Sequence, residues 1–127
     1  ISKTKMPIGI FIDKDLQQVN HVFIPIFTSE DSFLIEYAQK LIYNNNSEVI
    51  LLDVNGHLNT NFVMKSAIDS LEQKYPNNIG LITDKIIKKE FLTQQDLILI
   101  SLESWKRLVD SRSIWLSHVP SVLILKH

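Results

Sequence analysis

The amino-acid sequence predicts an α/β fold of three layers: a doubly wound parallel sheet of order 3-2-1-4-5, with an extra antiparallel edge strand from the N-terminal segment. Three observations predict it. Short, continuously apolar runs such as Val22-Phe23-Ile24-Pro25-Ile26-Phe27 read as strands covered on both faces. Between them lie segments whose apolar residues recur at helical spacing. The start of the chain breaks this alternation. Ile8 to Ile12 reads as a strand, yet Asp13 to Asn20 is a polar link too short for a crossover helix. That segment therefore reads as an edge strand, antiparallel to the last one.

Each element has its own signal. After the Val22–Phe27 run, Thr28-Ser29-Glu30-Asp31 is a helix start, a hydroxyl for free N–H groups and acids at the positive end of the dipole. Phe33, Leu34, Tyr37, Ala38, Leu41 and Ile42 give the inner face of that helix, and Asn44-Asn45-Asn46 ends it. Glu48 to Val54 is the second strand and Asn55-Gly56-His57 a turn. Thr60 caps a second helix with Met64, Ala67, Ile68, Leu71 and Tyr75 inside, and Pro76-Asn77-Asn78 breaks it. Ile79 to Thr83 is a short third strand, followed by a short amphipathic helix from Ile86 to Leu92. Asp96 to Ser101 is the fourth strand. Leu102, Trp105, Leu108, Val109 and Leu116 mark a third long helix, and Ser121 to Leu125 a fifth strand.

Composition narrows the function classes. The 127 residues suit one domain, large enough to bury roughly two-thirds of the unfolded surface. A net charge of −1 supplies no basic field for nucleic acid. The absence of cysteine removes disulfides, thiolate metal sites and a cysteine nucleophile. The apolar runs fall far short of the ~20 residues of a membrane helix. The first residue is Ile1 rather than Met, so the expectation is a piece of a longer protein.

In a doubly wound sheet, ligands sit where the strand order reverses, at the carboxyl ends of the strands. The candidate pocket residues are therefore Thr28, Ser29 and Ser101, with Phe27 beside them and Asp53 nearby. Other residues carry weaker signals. His21, His57, His118 and His127 have no metal-ligand spacing. His57 is a pH-sensor candidate beside Asp53, or an ordinary exposed loop histidine. Asp13, Asp15, Glu30 and Asp31 offer carboxylates for acid–base work, but read better as first-turn helix acids and solvated linker residues. Ser29 and Ser101 stand in no G-x-S-x-G turn, which argues against a serine hydrolase. Trp105 and Trp115, placed on one helix, are candidates for stacking a base. Trp105 reads better as core and Trp115 as a residue at an interface. Lys85, Lys88 and Lys89 form a basic cluster that reads as a solvated helix face, or as a contact for anionic headgroups.

Two stretches carry a family resemblance. His21 to Ser32, then a helix, then Glu48 to Val54 resembles the opening of a universal stress protein domain, which begins with a strand of the type VPVDGSEDS. More narrowly, Gly9-Ile10-Phe11-Ile12-Asp13-Lys14 followed by Val22 to Asp31 is similar to the C-terminal region of monovalent cation/proton antiporter family 2. That family shows VGILVDRG, a short link, and a strand ending in an FFGGPDD-like turn. Asp96 to Leu125, with Trp105 in the helix and Pro120 before the last strand, is similar to its tail. Here Thr28-Ser29 stands in place of paired glycines, and Lys14-Asp15 in place of Arg-Gly.

The resemblance implies a division of the chain. Residues 1–19 would be an edge strand and linker left from a preceding repeat unit, and residues 20–127 a complete universal-stress-protein-like unit. Stress-protein dimers pair their last strands edge to edge, so Ile8–Ile12 would lie along Ser121–Leu125. The resemblance implies a regulatory, non-catalytic domain on the cytoplasmic face of the inner membrane, in a bacterial Na+/H+ or K+/H+ antiporter. Its partners would be the preceding unit, a second copy in a homodimer and the membrane domain that carries out transport, with no nucleic acid. The rival implication is a free-standing ATP- or AMP-binding stress protein.

Many stress-protein domains bind ATP through G-x2-G-x9-G-[ST] after the fourth strand. Such a loop needs glycine because Cβ atoms obstruct the approach of backbone N–H groups to phosphates. Ser101 to Pro120 contains no glycine, and Phe27 stands where ATP-binding relatives carry Asp. The expectation is therefore no cofactor, with a phosphate-poor adenosine or AMP pocket as the remaining nucleotide option.

Overall fold

The apolar runs form a six-stranded sheet of mixed α/β architecture. The structure, a computed structural model, describes residues 8–56, 61–83 and 87–126. Its strands are β1 (Ile8–Ile12), β2 (His21–Ile26), β3 (Glu48–Asp53), β4 (Ile79–Ile82), β5 (Leu97–Ser101) and β6 (Ser121–Lys126). The helices among the described residues are α1 (Leu34–Asn45), α2 (Phe62–Lys74), α3 (Lys89–Thr93) and α4 (Leu102–Asp110). The strand order is β1-β6-β5-β2-β3-β4. Every pairing is parallel except that of β1 with β6.

Alternation along the strands builds two cores. Val22, Ile24 and Ile26 of β2, with Leu97 and Leu99 of β5, face a cluster containing Leu34, Ala38 and Ile42 of α1 and Met64, Ile68 and Leu71 of α2. Phe23, Ile98, Ile100, Val122 and Ile124 face the other way, toward Leu92 of α3 and Leu108 of α4. Adjacent residues of one strand point to opposite faces, so the two clusters are the two sides of the sheet. On the second side, aromatic rings form a row. Phe23 meets Phe91 edge to face at 5.0 Å between centroids, and Trp115 lies 5.8 Å from Phe23 and 6.1 Å from Phe27.

β2 shows why a crevice opens at the centre of the sheet. It pairs with β3 along its whole length, from His21↔Glu48 to Ile26↔Asp53. Its ladder to β5 covers only Val22↔Leu97 and Phe23↔Ile98. Pro25, two residues further on, has no N–H to donate. Past Phe23, β2 and β5 separate toward their carboxyl ends.

β1 pairs with β6 in an unbroken register, from Ile8↔Lys126 to Ile12↔Val122. The link to β2 is anchored at three points. The Asp13 carboxylate accepts from the Leu16 N–H at 3.0 Å. The Lys14 N–H donates to Ser121 Oγ at 2.9 Å. Asp96 Oδ2 accepts from the N–H groups of Asn20 and His21, each at 2.9 Å, which fixes the start of β2 against the start of β5.

Three local expectations change. The long helix expected to carry both tryptophans stops at Asp110. Arg112 takes a left-handed φ of 53°. Its N–H donates to the Val109 carbonyl at 3.1 Å, and the Ser113 N–H donates to that of Leu108 at 3.0 Å. This pair of bonds satisfies the last carbonyls of α4 and turns the chain away. Trp115 therefore sits in a separate 3-10 turn, Ile114–Ser117, capped by Ser113. The cap of α2 is Asn61, whose side chain accepts from the Met64 N–H at 3.0 Å, while Thr60 lies outside the described residues. Ala67, expected inside, is exposed, and only Met64, Ile68 and Leu71 of that helix are buried.

The left-handed Arg112 gives a direct test. A non-glycine residue in that conformation costs about 1–2 kcal/mol, and glycine offsets part of the gain by up to about 1 kcal/mol of unfolded-state entropy. Arg112→Gly should raise stability by up to about 1 kcal/mol, and Arg112→Val should lower it by about 1 kcal/mol or more. The urea midpoint at unchanged m-value reads both.

Candidate functional site

The crevice between β2 and β5 opens into a cleft of about 790 Å³ at their carboxyl ends. One wall is the β2–α1 loop with Thr28, Ser29 and Glu30. The other is Ser101 and α4, with Glu103, Lys106, Arg107 and Asp110, and Lys126 closes the side toward β6. Three of the four expected pocket residues, Thr28, Ser29 and Ser101, thus line one cleft. Asp53 does not. It ends β3, in register with Ile26, and is buried outside the cleft lining.

Each hydroxyl at the inner end has a structural task. Thr28 caps the 3-10 turn Ser29–Phe33, its Oγ1 accepting from the Glu30 N–H at 3.2 Å. Ser101 caps α4, its Oγ accepting from the Ser104 N–H at 3.2 Å. Asp31 lies between the two caps. Its Oδ2 accepts from the N–H of Phe27 at 2.8 Å, the N–H of Thr28 at 3.2 Å and the hydroxyl of Ser104 at 2.9 Å. Asp31 is 2% exposed and Ser104 1%. Asp31 stands in the first turn of this segment, as expected of a first-turn helix acid, and it is also a buried clasp joining the β2–α1 loop to α4. The Thr28-x-x-Asp31 spacing is a capping-box signal that sequence carries. The bond to Ser104, 73 residues away, has no local signal.

The charge of the cleft does not select a polyanion. Lys106, Arg107 and Lys126 face Glu30, Asp31, Glu103 and Asp110, three positive groups against four negative. Glu103 also stands in the first turn of α4, where a bound phosphate would otherwise meet the helix dipole. No glycine allows close backbone approach on this wall.

The remaining candidates scatter. His21 pairs with Glu48 at 3.3 Å on the surface. His118 is half-buried beneath the Asp13–Asn20 link, and His57, His127 and Lys85 lie outside the described residues. Lys88 and Lys89 are exposed. Trp105 and Trp115 are both half-buried against the second core. Among the described residues no group of three or more His, Cys, Asp or Glu side chains is placed to hold a metal ion, and no helix is long and apolar enough to cross a membrane. A second groove, about 610 Å³, runs between α1 and α2 with Phe33, Ile35, Val63 and Met64 in its lining. Sequence reading missed it because Val63, 76% exposed, precedes the buried stripe of α2.

No family model matches the chain, and no curated protein matches it.

Ser104→Ala removes one donor from the buried Asp31 carboxylate and should cost about 1–3 kcal/mol. Asp31→Asn should cost a comparable amount. The double variant should lose less than the sum, since both changes break one interaction. A double-mutant cycle in urea reads the coupling, and strict additivity would mean that the bond contributes nothing.

Proposed function

We propose that this chain is a non-catalytic regulatory domain: a universal-stress-protein-like unit from the cytoplasmic tail of a bacterial cation/proton antiporter, with transport carried out by a membrane domain elsewhere. The observation that carries the reading is β1. It is joined antiparallel to β6 along five residues, and its exposed apolar side chains belong to both faces, Ile10 at 51% and Phe11 at 49%. A strand apolar on both faces suits the interior of a covered sheet. That supports β1 as the last strand of a preceding unit, borrowed across an edge-to-edge junction. The order of the five parallel strands, β4-β3-β2-β5-β6, supports the stress-protein likeness. Regulation then works through strand pairing and dimer contacts that favour one arrangement of the units.

The alternative, a free-standing nucleotide-binding stress protein, draws on the cleft at the switch point with Lys106 and Arg107 in its wall. A calorimetric and thermal-shift screen against ATP, ADP, AMP, cyclic dinucleotides and NAD separates the two. A ligand at 100 times its dissociation constant adds about 2.7 kcal/mol. No stabilisation by any of them is the expected outcome. A shift of that size with one nucleotide would move the reading to the alternative.

The regulatory role has its own test in the intact transporter. Prolines at both Ile10 and Phe11 remove adjacent N–H groups, one of which must face β6. Ion flux in vesicles should change while transporter assembly does not, with hydrogen exchange confirming the loss of β1 protection. Unchanged flux with β1 released would overturn the role.

A further inference from the structure

The inner end of the switch-point crevice has the geometry of an oxyanion site. Three donors, two from the β2–α1 loop and one from helix α4, converge on one oxygen position: the N–H groups of Phe27 and Thr28 and the hydroxyl of Ser104, at 2.8, 3.2 and 2.9 Å. The oxygen at that position is the chain's own Asp31 Oδ2. Backbone N–H groups at the end of a strand, backed by a hydroxyl from a neighbouring helix, are the groups that hold phosphate and carboxylate oxygens in ligand-binding crevices. Here they are already bonded, and both side chains of the clasp are nearly inaccessible.

We infer that Asp31 is a built-in anion that closes the switch point: an autoinhibitory contact which keeps free phosphates and carboxylates from the three donors. The carboxylate is tethered only three residues after Thr28, so it competes with a free anion at an effective concentration no dilute solute reaches. The rest of the cleft does not draw a second anion inward by net charge, since Glu30, Glu103 and Asp110 balance Lys106, Arg107 and Lys126. Whatever enters the outer cleft must do so without the donors of Phe27, Thr28 and Ser104. The inference is independent of the antiporter reading, because it rests on donors and distances within the chain.

The test removes the internal anion and offers an external one. Asp31→Ala is titrated with formate, acetate and inorganic phosphate at constant ionic strength against chloride. The amide resonances of Phe27 and Thr28 and the melting temperature are followed. The expected result is a saturable shift of those two amides, with a rise in melting temperature, for formate in Asp31→Ala and not in the wild type. Asp31→Asn, which keeps an oxygen in place, should not respond. A wild-type response equal to the variant's would overturn the proposal, because the donors would then be open. A folded Asp31→Ala with no saturable response would overturn it as well. Where Asp31→Ala does not fold in chloride, recovery of its native spectrum by formate supports the proposal. The wild type and Asp31→Asn then give the second readout. Loss of the charged acceptor must move the Phe27 and Thr28 amides upfield, and unchanged amides would sink the idea.

Discussion

β2 is the constraint from which the rest of the arrangement follows. Val22, Phe23, Ile24 and Ile26 are at most 1% exposed, and the strand has neighbours on both sides and helices over both faces. A strand so enclosed can satisfy its polar backbone only through its neighbours. Pro25 sits near its carboxyl end with no N–H to offer. β3 stays paired past this residue to Asp53, while the ladder to β5 ends at Phe23. The backbone at the end of β2 then needs another partner, and the N–H groups of Phe27 and Thr28 find it in Asp31. The crevice and its plug thus have one origin.

The cleft lies where such folds bind nucleotides, and much of its inner end is already engaged within the chain. The hydroxyls of Thr28 and Ser101 are engaged as helix caps, its inner donors are committed to a carboxylate, and its wall carries charge of both signs. At its inner end the backbone donors are committed and no glycine opens a closer approach.

Much of this was legible in the chain. The apolar runs at Val22, Glu48, Asp96 and Ser121 announced parallel strands because doubly covered strands leave no polar face to alternate. Thr28 and Asn46 announced the ends of a helical segment through cap chemistry, and the structure places them there. The isolated Ile8–Ile12 run announced an edge strand because the link after it was too short to cross the sheet. The misses share a cause. Arg112 ends α4 in a conformation that glycine or asparagine would have signalled, so the helix was extended through Trp115. Asp31 was legible as a first-turn acid but not as a clasp, because its partner Ser104 is remote in sequence. Asp53, grouped with the pocket by its place at a strand end, ends β3, on the other side of β2 from β5.

The pairing of Ile8 with Lys126 puts the two ends of the described chain side by side at one corner of the sheet. A force drawn between segments attached before Ile8 and after Lys126 acts across the β1–β6 ladder, not along it. The rungs then open one after another, starting at Ile8↔Lys126, instead of sharing the load. The domain is consequently weak toward tension between its own ends, and β1 is the first element to peel away. The five parallel strands remain folded behind it, because the anchors that fix β2, from Asp96 to Asn20 and His21, lie beyond the far end of that ladder.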